Sequence, residues 1–129
     1  MAQNEDAVFY QGDQLNIDYT PAAATVAGKV VKVLDDGSDN VMSGVIPSAL
    51  EADELGAADV RGIYKFKKEA GGGVTFTNGE EIDWDYAGAT AVASGTVGAW
   101  PVAVCLVDAA DDDDFVIGLL LQAVQPVNT

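Results

Sequence analysis

An eight-residue phrase occurs twice in this chain, and it limits the possible folds more than any other feature. It reads Gly12-Asp13-Gln14-Leu15-Asn16-Ile17-Asp18-Tyr19 near the start and Gly79-Glu80-Glu81-Ile82-Asp83-Trp84-Asp85-Tyr86 past the middle. The correspondence runs on without a gap through Ala22/Ala89, Ala24/Ala91, Gly28/Gly95 and Val30/Val97. A glycine lets the chain enter a strand from a turn at positive φ, and alternation of apolar and polar residues suits a half-buried strand. A duplicated turn–strand–turn unit explains both copies. Chance matching in a chain rich in Ala, Gly and Val is the alternative.

The rest of the chain keeps the same grain. Lys29 to Leu34 and Val41 to Ile46 are β-branched runs around an Asp-rich turn at 35–39, which predicts a hairpin. Val60 to Lys68 alternates, with Tyr64 and Phe66 on one face and Ile63, Lys65 and Lys67 on the other. Gly71-Gly72-Gly73 predicts a loop with Val74 to Thr77 as the return strand. Ser48-Ala49-Leu50-Glu51 has the capping-box order, so 50–55 is the one place for a short helix, with an irregular loop as the alternative. Trp100 to Val107 and Phe115 to Leu121 are almost wholly apolar and flank the acidic stretch 108–114. Strands without alternation need both faces covered. Either a second subunit covers them or they lie inside a closed barrel.

These patterns predict a mainly β, small single-domain fold with at most one short helix. We divide it into a flexible arm at 1–9, a β-rich domain at 10–125 and a tail at 126–129. At 129 residues one domain is the natural unit, and only ten residues are aromatic, so the core is expected to be thin.

Charge narrows the functions. The net charge is −15, and from Glu69 to Thr129 there are ten acids and no base. Such a chain repels phosphate backbones and anionic lipid, so neither nucleic acid nor membrane is expected as a partner. Apolar runs reach about eight residues, far short of the roughly 20 that a spanning helix needs. The polar, acidic start does not read as a signal peptide. With no histidine, the Ser-His-Asp and Cys-His arrangements are excluded. Gly28-Lys29 lacks the surroundings of a phosphate-binding loop. The lone Cys105 sits in an apolar run and is expected to be buried and inert.

Few residues carry candidate chemistry. Asp83 and Asp85 lie two apart on one strand, as an acid–base pair would, although a solvated strand face explains them better. The acidic turns at 35–39 and 111–114 offer oxygen ligands but lack the spacing of a calcium loop, so no metal and no cofactor is expected. Trp84, Tyr86 and Trp100 are candidate interface anchors or, equally, core residues. Val8, Phe9 and Tyr10 form the first apolar cluster, beside the arm.

The order of features resembles a family of small tailed-phage proteins encoded beside the major capsid gene. They are often labelled RecA/RadA-like recombinases but are better understood as capsid decoration, or cement, proteins. The residues that carry the resemblance are Gly12-Asp13-x-Leu15, Pro21, Gly28 with Val30-Val31, Gly44-Val45, Gly62-Ile63-Tyr64, and Gly79-x-x-Ile82-x-Trp84. Glu80, and Trp100-Pro101 where the family tends to have a glycine, depart from it at turns. The resemblance implies a β-barrel or β-tulip-like domain, usually a homotrimer. Such a trimer sits on the outer capsid surface, bound to the major capsid protein, and stabilises the shell against internal pressure. It also implies that the segment Ala2 to Tyr10 orders on the capsid. Two other readings stay open from the residues alone. One is another virion module (tail or baseplate) or a calcium- or carbohydrate-binding β-domain from a salty habitat. The other is a hydrolase working through Asp83 and Asp85.

Overall fold

The computed structural model describes residues 3–129; Met1 and Ala2, the start of the expected arm, lie outside the described residues. Eleven strands follow one another in the described chain: β1 Ala7–Gln11, β2 Asn16–Tyr19, β3 Val30–Asp35, β4 Asn40–Val45, β5 Gly56–Asp59, β6 Ile63–Lys67, β7 Glu81–Asp85, β8 Thr90–Val92, β9 Trp100–Val107, β10 Phe115–Leu120 and β11 Gln125–Pro126. They form two antiparallel sheets. A six-stranded sheet runs β1-β6-β10-β9-β7-β8, and a five-stranded one runs β11-β4-β5-β2 with β3 on the other side of β4.

The mainly β, single-domain expectation holds, but the barrel implied by the resemblance does not close. The six-stranded sheet curls until β8 meets the end of β6, where Lys68 and Ala91 form one isolated bridge rather than a ladder. The short β8 and the free margin at β1 end the curl. No helix forms at 50–55 either. Glu54 does cap the backbone N–H of Glu51 (2.8 Å), but Asp53 takes φ of +62°, which stops the turn after one cycle. The Leu50 N–H and C=O are already committed to Thr25, at 3.0 and 2.8 Å.

The β3–β4 hairpin is in place, and β6 presents Tyr64 and Phe66 inward. The return strand expected at Val74 to Thr77 is not β6's partner. Phe76 instead bridges Ala109, and β6 lies between β1 and β10. Most of the core lies against the inner face of the six-stranded sheet. Phe66 and Trp84 meet edge to face there, centroids 6.2 Å apart, with Ile82, Val102, Cys105 and Val116 around them. Gly118 on β10 is a packing requirement, because a Cβ at that position would stand 2.6 Å from Ile82 Cδ1.

The repeat is real as local conformation. Gly12 and Gly79 have φ of 101° and 90°, and Gly28 and Gly95 have 84° and 86°. Equivalent turn hydrogen bonds join Lys29 N to Val26 O (3.3 Å) and Thr96 N to Ala93 O (3.1 Å). The surroundings of the two copies differ. β2 pairs only with β5, at the margin of the smaller sheet, whereas β7 sits between β8 and β9 in the larger one.

Candidate partner interface

The outward side of the six-stranded sheet is built by alternation. On β6 and β10 the inward residues Tyr64, Phe66, Val116 and Leu120 are buried, so Ile63, Lys65, Phe115, Ile117 and Leu119 point away from the core. Register then joins them across strands: Ile117 stands opposite Lys65 and Val107, and Leu119 opposite Ile63 and Val104. Val8 of β1 faces Lys65 from the other side. The Lys65 ammonium lies 4.8 Å from the Phe115 ring centre and 5.5 Å from that of Tyr10. Leu119 and Tyr10 remain 42% and 48% exposed, while Ile63, Lys65, Phe115 and Ile117 are half-buried. An apolar face with an embedded lysine is a candidate surface for contact with another protein.

The six candidates from sequence divide into three places. Val8, Phe9 and Tyr10 are on β1, so positions 7–9 of the expected arm are hydrogen-bonded into the sheet. Tyr10 belongs to the outward face, while Phe9 turns to the Tyr64 ring, 5.6 Å away. Trp84 is fully buried and packs the core. Tyr86 and Trp100 are half-buried at the seam between the sheets, rings 5.6 Å apart, with the Lys32 ammonium 4.2 Å from the Trp100 ring centre. Trp100 Nε1 donates to Asp39 O (2.9 Å) and the Tyr86 hydroxyl bonds Ser43, ties that bind one sheet to the other. Burial pushes the Tyr86 hydroxyl up in pKa. Lys65, Phe115, Ile117 and Leu119 of the outward face were not among those six. Their signal was the unbroken apolar run of the last two long strands.

The solvated strand face expected for Asp83 and Asp85 is corrected at Asp83. A bulge in the β7–β9 pairing, with Val102 as the extra residue, brings Ile82, Asp83 and Trp84 all inside. The Asp83 carboxylate is fully buried and its Oδ2 accepts Gly95 N (2.8 Å) and the Asn128 amide, which fixes the C-terminal residues to the turn. Burial, then the neighbouring Asp83, raises the Glu81 carboxyl in pKa. Asp85 accepts Ala87 N in a turn (3.1 Å). The acidic loops spend carboxylates on backbone N–H groups: Asp36 accepts from Ser38 in its own turn (2.7 Å), while Asp111 and Asp108 accept from Gly73 and Asn78 of the 71–79 stretch (2.7 Å each). The Asn40 side-chain bond, with help from Ser38 N, lowers the pKa of Asp36. Among the described residues no three acidic or thiol side chains gather as a metal site. Cys105 is buried, and burial raises its thiol's pKa.

Against this geometry, the family described as phage cement protein matches the chain over residues 10–120. The chain belongs to that family. Comparison with curated proteins and with solved structures returned no match. As a phage cement protein it is a capsid-binding structural component of the virion, and the turn glycines and strand residues that carried the resemblance lie within the matched span. The open face of the six-stranded sheet, which β6, β9 and β10 build, falls inside it as well.

Proposed function

We propose that this cement protein sits on the outer surface of an icosahedral phage capsid and braces neighbouring capsid subunits against internal pressure, without enzymatic activity. The observation that carries the reading is the uncovered apolar face of β6, β10 and β9, which seats on the major capsid protein. Three copies gather around a three-fold position, and repetition over many equivalent sites turns modest single contacts into firm attachment. Of the expected arm, the polar residues ahead of β1 are the part that meets a neighbouring subunit; Gln3 already reaches back to Lys65 O at 2.8 Å. The net charge of −15 keeps decorated particles apart in solution.

The test is sedimentation of the purified protein with expanded, DNA-free shells of its phage. Saturable binding at a fixed number of copies per shell is expected, and decorated particles should hold their DNA at temperatures where bare ones release it. A protein that ignores shells at every maturation stage ends the proposal. Removal of residues 1–4 should weaken binding and leave the melting temperature unchanged; unaltered binding would limit the contact to the sheet.

A further inference from the structure

Apart from the open face, a cleft of about 320 Å³ lies between β1 and the 46–47 segment, lined by Phe9 and Tyr64 with Ile46 and Pro47 and by the acids Glu5 and Asp59. Asp59 is only 2% exposed. The Tyr64 hydroxyl and the Gln14 amide both donate to it at 2.9 Å, and both bonds fall on Oδ2, leaving Oδ1 without either donor. No cation pairs with it; the one ion pair among the described residues joins Lys29 to Asp6, at 3.7 Å. Two neutral donors do not neutralise a buried charge, and burial accordingly raises the pKa of the Asp59 carboxyl, with the Tyr64 bond working against it. The cleft therefore presents a buried carboxylate that has two neutral donors on one oxygen and no cation beside it.

The chemistry selects the cation. An arginine guanidinium is planar, is weakly hydrated and stacks on aromatic rings while it bonds a carboxylate. The ring of Phe9 offers such a face at the mouth of the cleft, 44% exposed. The chain's own single arginine, Arg61, bonds Gln122 through Nε at 3.0 Å. We propose that the Asp59 cleft receives an arginine side chain presented by the capsid protein, held between the carboxylate and the Phe9 ring. The identity of the presenting protein rests on the function proposed above; the cleft's preference for a guanidinium does not.

Two measurements separate these parts. In the first, 15N-labelled protein is titrated with an acetyl-Gly-Arg-Gly-amide peptide and with its citrulline counterpart, which has the same shape and no charge. Shifts at Phe9, Asp59 and Tyr64 with the arginine peptide only are expected, at least about tenfold weaker in Asp59→Asn and unchanged in Asp112→Asn. Equal response to citrulline, or shifts spread over the loop at 108–114, overturns the cleft assignment without recourse to any variant. In the second, shell binding of Asp59→Asn should fall at least about tenfold. Equal binding of variant and unaltered protein overturns the capsid's arginine. If the unaltered protein binds no shell, the capsid reading itself falls and the peptide titration alone decides the cleft.

Discussion

Behind the five-stranded sheet, Val31 and Ala58 meet Ile46 and Leu50, which the connections at 20–29 and 46–55 fold over them through the Thr25–Leu50 bridge. Behind the six-stranded sheet, Ile117 and Leu119 meet no such connection. Both sheets have apolar residues on both faces, so both need cover. In the smaller one Val31 and Ala58 lie under its own loops, whereas in the larger one Ile117 stays half-buried and Leu119 exposed. The difference is the basis on which the capsid is proposed to dock on the larger sheet.

Substitutions should separate inner, covered and open faces in that order of cost. Trp84→Ala, inside the larger sheet, should cost about 3–5 kcal/mol of stability by denaturant unfolding. Ile46→Ala, under the loops, should cost about 2–3 kcal/mol, since the cluster it fills is small and cavity costs scale with how badly the site collapses. The double change Ile117→Ser with Leu119→Ser should stay within about 1 kcal/mol of the unaltered protein while shell affinity drops at least about tenfold, or about 1.4 kcal/mol. A large loss of stability with unaltered binding would instead make the open face structural.

Asp59→Asn gives the smallest effect and one with a definite sign. The folded carboxyl titrates above its usual value, so the unaltered protein has a stability term that is fully present below about pH 4 and is lost as pH rises through the folded pKa. The variant lacks this term. Its melting temperature should therefore gain on the unaltered protein's as pH rises above about 4, and a constant offset would show that Asp59 titrates normally.

Much of this was legible in the residues. Alternation at Ile63 to Lys67 gave the two faces of β6, and the repeat glycines gave turns that share φ and hydrogen bonds. Of the two readings left open for the last long strands, the closed barrel does not form; one face of the pair is core, and cover of the other by a partner is part of the proposal. What the sequence concealed were events that break periodicity. The bulge at Val102 buried Asp83 in a stretch whose pattern exposes it, and the positive φ of Asp53 ended a helix that its capping residues invite. The different fates of the repeat copies were also out of reach, because neighbours in a sheet are chosen by long-range pairing. Ile17 and Trp84 occupy matching positions, yet one is on a sheet margin and the other at the centre of the core.

The most direct measurement is a cryo-electron-microscopy map of expanded shells saturated with the protein, at a resolution that orients the two sheets. The account predicts Phe115, Ile117 and Leu119 against the capsid protein. A map with the β6–β10–β9 face bare to water would contradict it.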